Sequence, residues 1–278
     1  MTMPYLSLTT WSLHRNLGPL RWTRWDADNR TQVTAVQDQP ELLTLLELPI
    51  VLAEKGFKSL EVCHFHIPDT SEAYLKKLRQ SFADAGIRFY TLLIEYGDLT
   101  NTDEARRQSD IAWIKSWIDH ASVAGAERVR VIAGDAEPSD QLALQRSAAA
   151  LSELADYASA RGVRVVTENF HALTSTAENC LALLETCGET LGFTSDYGNF
   201  KGTTKYDDLS KTIPHSESIH AKAQTDAEGN PDEAEFIQCM ELAKNAGYEG
   251  PFTLVYDGPG EMWEGIERVR KLVAPYLE

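Results

Sequence analysis

The chain has 278 residues, 43% hydrophobic and 24% charged, with a formal net charge of −16. That length suits one large α/β domain or two small ones. The acidity argues against a general nucleic-acid surface and gives no field that would gather a phosphorylated substrate. No run of about 18 apolar residues marks a membrane span. Met1-Thr2-Met3-Pro4-Tyr5 lacks the basic and apolar regions of a signal peptide, so a cytoplasmic chain with no membrane partner is expected. Cys63, Cys180, Cys187 and Cys239 form no CxxC pair and read as free, packed thiols.

Tyr5 to Trp11 reads as a first strand running out through Ser12-Leu13-His14. A long connector over about residues 14–39 follows, with Trp22, Trp25 and several arginines, suited to covering a ligand or packing over a rim. Pro40-Glu41 opens a helix expected to reach Lys55, kinked or divided at Pro49. Phe57–Cys63 is the next strand, followed by His64-Phe65-His66 and a helix from Asp69 to Ala85. Ile87–Ile94 is a strand ending at Glu95, and Asn101-Thr102-Asp103-Glu104 caps a helix reaching Ala124.

The unit then repeats. The strand Arg128–Ile132, with Gly134-Asp135 beyond it, precedes a helix over Ser139–Arg161. Val163–Val166 runs into Thr167-Glu168-Asn169-Phe170-His171, before a helix over Ala177–Thr186. Leu191–Thr194 precedes Ser195-Asp196-Tyr197-Gly198-Asn199 and a short helix at Tyr206–Thr212. Glu217–Ala221 carries His220 and is followed by a helix at Pro231–Ala246. Phe252–Tyr256 leads through Asp257-Gly258-Pro259-Gly260 to a terminal helix at Met262–Val273. Eight βα units in about 250 residues predict a single (β/α)8 TIM barrel spanning residues 1–278. Thr10 to Gly18 holds no GxGxxG, so no nucleotide cofactor is expected.

Catalytic groups of such a barrel gather where strands end. Glu168, Asp196 and His220 end three successive strands and offer oxygen, oxygen and nitrogen ligands, suited to Mn, Mg, Co or Zn, with a metal-free polar network as the alternative. Glu61 lies in an apolar stretch, as a general base, a fourth ligand, or a structural partner of a cation such as Arg130. Asp257 is a further strand-end carboxylate within turn chemistry. Trp11, His64, His171, Asn199 and Lys222 are candidate substrate contacts. Lys222 shares a strand face with His220, placing it to balance the carboxylates or stabilise an enolate oxygen.

The motifs Ser59-Leu60-Glu61, Thr167-Glu168-Asn169-Phe170-His171, Thr194-Ser195-Asp196-Tyr197-Gly198-Asn199, Ile219-His220-Ala221-Lys222 and Gly247-Tyr248-Glu249-Gly250-Pro251 together resemble the xylose-isomerase-like TIM-barrel superfamily of sugar isomerases, epimerases, inosose dehydratases and endonuclease IV-type enzymes. In the epimerase branch, a divalent metal is held by Glu, Asp, His and a final Glu, and two glutamates exchange protons beside the sugar carbonyl. The resemblance implies Glu168, Asp196 and His220 as the first three ligands, with Glu61, Glu168 and Asp257 as candidates for proton transfer. It departs from the pattern at Val255, which stands in place of the last Glu, and at Asn199, where a His is frequent. The family's downstream Arg is also absent from Ala223-Gln224-Thr225-Asp226. The implied function is a sugar isomerase or epimerase with a small sugar or polyol as partner, and a homo-oligomer is a candidate assembly. The alternatives are a dehydratase of a cyclic polyol or keto-sugar and a noncatalytic carbohydrate-binding barrel; abasic-site DNA cleavage is disfavoured by the acidity.

Overall fold

The computed structural model describes residues 3–277. In chain order its strands are β1 (Tyr5–Thr9), β2 (Leu20–Asp26), β3 (Thr31–Gln37), β4 (Ser59–Cys63), β5 (Arg88–Leu93), β6 (Arg128–Arg130), β7 (Arg164–Glu168), β8 (Leu191–Asp196), β9 (Ser218–Lys222) and β10 (Pro251–Val255). All but β2 and β3 join one closed parallel barrel, in which β1 pairs with both β4 and β10. The helices are α1 (Leu48–Glu54), α2 (Glu72–Ala85), α3 (Glu104–Ala124), α4 (Gln141–Ser159), α5 (Ala177–Cys187), α6 (Lys205–Thr212), α7 (Glu233–Asn245) and α8 (Met262–Val273). The expected single (β/α)8 barrel is the fold observed. No helix among the described residues is long and apolar enough to cross a membrane.

The period-2 alternation of each strand sets the two sides of the barrel wall. Leu8, Leu60, Leu92, Val129, Val165, Phe193, Ile219 and Leu254 face outward, and all are buried in the core beneath the helices. The inward positions are unusually polar for a barrel, whose interior is more often branched aliphatic. Ser7, Ser59, Thr194, Ser218 and Thr253 are buried there, as are Glu61, Arg130, Glu168, Asp196 and His220. Most buried polar groups in folded proteins are hydrogen-bonded. Accordingly Ser7 donates to the Ser59 carbonyl at 3.2 Å, and the Thr194 and Ser218 hydroxyls meet at 2.8 Å.

Three expectations are corrected. The first strand stops at Thr9, whose hydroxyl accepts from the Ser12 amide and starts a 3-10 turn carrying Trp11. The connector at 14–39 is not irregular: β2 and β3 form an antiparallel hairpin in which Leu20 pairs with Gln37 and Asp26 with Thr31. Its alternating Trp22-Thr23-Arg24-Trp25 and Val33-Thr34-Ala35-Val36 runs have the period of strands. The helix expected over residues 40–55 is confined to Leu48–Glu54, with Pro49 in its first turn, where a missing amide costs no hydrogen bond, rather than kinking its middle. Two strands run further than read from sequence, so Glu168 and Asp196 are their last residues.

Candidate metal centre and its cavity

Three neighbouring strands bring Glu168, Asp196 and His220 together at the C-terminal mouth of the barrel. One ligand atom from each lies within 4.8 Å of the others, and all three side chains are buried. His220 Nδ1 is 3.4 Å from Glu168 Oε1 and 3.6 Å from Asp196 Oδ2. The other ring nitrogen, Nε2, is 2.8 Å from Glu61 Oε2, and Thr253 donates to Glu61 Oε1 at 2.9 Å. A carboxylate behind the imidazole fixes the proton on Nε2 and turns Nδ1 toward the cluster, the outer support common in metal sites. A register shift between Leu60 and Glu61 in the β4–β5 pairing accompanies this placement.

The remaining atoms of the cluster are held by neighbours. Asp196 Oδ1 accepts from the Gly198 amide at 2.6 Å, and the Asn169 side chain bridges the Asp196 amide and carbonyl at 2.7 and 3.0 Å. Asn199 donates to Glu168 Oε1 at 3.1 Å. Arg130 reaches Glu168 Oε2 at 3.1 Å and also pairs with Glu95. Burial alone would raise the Glu168 carboxyl, but His220 and Arg130 outweigh it and hold it down to about 2. Burial likewise opposes charge on His220, yet Glu168 and Glu61 raise its imidazole well above the ordinary value.

The donor set fits a divalent cation. Glu61, Glu168, Asp196, Glu95 and Asp257 bring five carboxylates to this region, against Arg130 and Lys222 as its permanent cations. The imidazole is drawn into its cationic form to offset the excess, and a metal at Nδ1 would take over that proton's role. The two oxygen donors and one nitrogen suit Mn, Mg, Co or Zn, and three protein ligands leave positions open to a substrate, as in catalytic centres.

A cavity of about 410 Å³ opens over the cluster. Trp11, Trp22, Phe65, Leu93, Phe170 and Val255 make it largely apolar on one side, while Glu95, Arg130, His171, Asn199, Lys222 and Asp257 supply polar groups. The aromatic wall is continuous, with Trp22 4.4 Å from Phe65 and Trp11 6.2 Å from Trp22 between ring centroids. The hairpin therefore contributes Trp22 directly to the cavity.

The sequence candidates are distributed unevenly. Trp11, Glu168, His171, Asp196, Asn199, His220, Lys222 and Asp257 all line the cavity. Glu61 lies beneath His220, fully buried, and its partner is that histidine rather than Arg130. His64 is also buried, behind Phe65, where Nδ1 accepts from the Glu95 amide at 3.1 Å and Nε2 meets Thr23 Oγ1 at 3.2 Å. Asp257 stands outside the three-ligand cluster and pairs with Lys222 at 2.8 Å. Val255 lines the cavity with an apolar side chain. Sequence reading missed the inward role of Arg130, although its alternation with Arg128 on one strand face was available, and missed Asp135 as the partner of His171 at 2.5 Å.

Fold and site together define a (β/α)8 barrel with a carboxylate–carboxylate–imidazole centre in its mouth. The profile of the xylose isomerase-like TIM barrel family matches residues 50–272, and the chain belongs to that family. Comparison with curated proteins returns no match. Similar solved structures include an L-ribulose 3-epimerase, at 16% identity and TM-score 0.73, with 99% of this chain and 95% of that one covered. The IOLI protein with a bound zinc atom is similar at 15% identity and TM-score 0.72, over 98% of each chain. A D-psicose 3-epimerase in the presence of D-fructose is 17% identical with TM-score 0.64, covering 84% of this chain and 92% of that one. At these identities the likeness is one of fold.

Proposed function

We propose that this protein is a divalent-metal-dependent isomerase or epimerase of a small unphosphorylated sugar. The observation that carries the reading is the convergence of Glu168, Asp196 and His220 under an open cavity, with Glu61 orienting the imidazole from behind. Epimerases and a zinc-binding protein among the structures of similar fold support it. Glu168, Asp196 and His220 would hold the cation, whose contribution when bound is to polarise a substrate carbonyl.

The chain's own groups do the rest. Asn199 fixes the orientation of the Glu168 carboxylate, and Asn169 fixes the backbone that presents Asp196. Lys222 stays cationic because Asp196 and Asp257 outweigh its burial, and it presents a donor at the polar side of the cavity. Trp11, Trp22, Phe65 and Phe170 offer flat faces for the C–H surface of a sugar and exclude water from the polar side. Arg130 and Lys222, the permanent cations lining the cavity among the described residues, are each already paired with carboxylates, so neither is free for a phosphate. That favours a neutral substrate.

The test is metal analysis of the purified protein, followed by incubation of the Mn²⁺-loaded form with a panel of ketoses and aldoses. Interconversion at unchanged mass supports the proposal, and loss of water assigns a dehydratase instead. Sugar binding without turnover, unaffected by Glu168→Gln, rejects catalysis in favour of a carbohydrate-binding barrel.

A further inference from the structure

His171 is one of two non-glycine residues among those described with a left-handed backbone, at φ 68°. A residue with a Cβ takes that conformation at a cost, and such positions cluster where a side chain must be aimed. The turn around it is pinned. Thr174 Oγ1 accepts from the Phe170 amide at 3.1 Å and donates to the Phe170 carbonyl at 2.7 Å, and the Leu173 amide donates to the Gly134 carbonyl at 3.3 Å. The result is an imidazole on the cavity rim with Nδ1 2.5 Å from Asp135 Oδ1.

Asp135 is itself held. Its amide donates to Asp98 Oδ1 at 3.2 Å, and the next amide, of Ala136, donates to Thr100 Oγ1 at 3.1 Å. Gly134, at φ 146°, lies so close to Thr100 that a Cβ there would stand 2.3 Å from its methyl carbon. The loop after β6 is thus built to hold one carboxylate against one histidine. That carboxylate keeps the Nδ1 proton and leaves Nε2 as the ring's free acceptor, as a carboxylate does for a catalytic imidazole.

The other acid–base groups lining the cavity are engaged. Glu95 pairs with Arg130, and Asp257 with Lys222. Glu168, Asp196 and His220 form the metal centre, and Val255 supplies no acid. Among these groups His171 stands outside both the metal centre and the two cation pairs, and its Nε2 has no hydrogen-bond partner among the described residues. We infer that His171 is a proton-transfer residue of the reaction, with Asp135 as its positioning residue, supplying an acid–base group on the β6–β7 flank of the centre. This rests on the proposed sugar chemistry. Neutral His171 takes the proton from the carbon beside the carbonyl; the C–H electron pair becomes the C=C bond of an enediolate, and the carbonyl π pair moves to oxygen. Return of a proton from the imidazolium re-forms a C–H bond and the carbonyl, so atoms and charge balance with no other reactant.

The test uses Mn²⁺-loaded protein in D2O with D-fructose, D-psicose, D-tagatose and L-ribulose, reading deuterium uptake beside the carbonyl by NMR. His171→Gln is expected to slow uptake by about 10²–10⁴-fold, with Mn²⁺ stoichiometry as in wild type. Asp135→Asn is expected to lower kcat rather than raise KM, because the carboxylate orients the imidazole rather than binding the sugar. In wild type, ¹⁵N-imidazole NMR should place the His171 proton on Nδ1, and Asp135→Asn should weaken that preference. Wild-type uptake that survives in His171→Gln overturns the inference alone, as does a proton on Nε2. No uptake by the loaded wild type from any of the four sugars overturns the proposed function, and this inference with it.

Discussion

The two ends of this barrel are both charged, the N-terminal one partly exposed and the C-terminal one buried, and they are built on opposite plans. At the N-terminal end, charges are matched. Arg88 grips Glu127 through two nitrogens at 2.7 and 2.6 Å. Arg128 bridges Glu217 and Glu127 at 2.9 Å each, and Arg164 takes the other Glu217 oxygen at 2.6 Å. Tyr90 closes the set, donating to the Glu217 carbonyl at 2.8 Å beneath the Arg128 guanidinium, which lies 4.1 Å from its ring centroid. At the C-terminal end, carboxylates outnumber the permanent cations and the surplus faces a cavity. The difference teaches where to look for chemistry: an ionic network whose charges all find partners closes an end of the barrel, whereas a buried one left over-acidic is suited to a cation.

The largest expected effect separates the ends directly. Glu168→Gln should reduce Mn²⁺ affinity, read by isothermal titration calorimetry, by more than the roughly 10–100-fold that loss of an outer partner costs. Affinity equal to wild type would show that the three-residue cluster is a polar network and not a metal centre.

Next in size is Glu61→Gln. Glu61 touches no ligand position, but it holds His220 Nε2 at 2.8 Å. Mn²⁺ affinity should fall about 10–100-fold with an unchanged circular dichroism spectrum. A variant binding as tightly as wild type would mean that the imidazole is oriented by packing alone. Glu217→Gln is the mirror experiment. It breaks the charge-assisted bonds to Arg128 and Arg164, each on the order of 1.5–3 kcal/mol before solvent screening, and the partial exposure of all three side chains reduces the net to about 1–2 kcal/mol. Urea unfolding should report that loss, with Mn²⁺ affinity unmoved; a change in affinity would couple the two ends and break the contrast.

The same contrast explains what was legible in the sequence. The barrel was readable because apolar strands recur at regular intervals with capped helices between them, a local signal. Glu168, Asp196 and His220 were readable because each closes a strand, and closure of the barrel alone brings such ends together. The pairings were not readable. Glu61 and His220 are 159 residues apart, Arg128 and Glu217 are 89 apart, and His171 and Asp135 are 36 apart. Which carboxylate meets which cation depends on register and inward alternation around the closed wall. The hairpin was passed over because its tryptophans and arginines read as a covering loop, although the alternation was there. The extent of the helix near Pro49 was misjudged because proline at a first turn and proline in a helix interior look alike until the helix start is known.

The smallest effect lies just outside the cavity, where two histidines are neutral by burial. His66 is packed behind Phe65 with Nδ1 2.8 Å from Thr10 Oγ1, and burial pushes its imidazole down to about 3. The ordinary value near 6.5 holds in the unfolded chain. Below that pH the unfolded chain takes up the proton first, while the folded ring resists until about 3. The stability is therefore complete above about pH 6.5 and is lost as pH falls toward 3. Between pH 7 and 5.5, this single group should cost about 1 kcal/mol of unfolding free energy. His64, pushed down to about 3 in the same way, should add a similar share. In His66→Gln the pH slope of urea unfolding over that interval should be shallower than in wild type by this amount, whatever the substitution does to absolute stability. An unchanged slope would mean that the His66 ring is already protonated in the folded protein, and that charge on this side of the mouth is not confined to the metal centre.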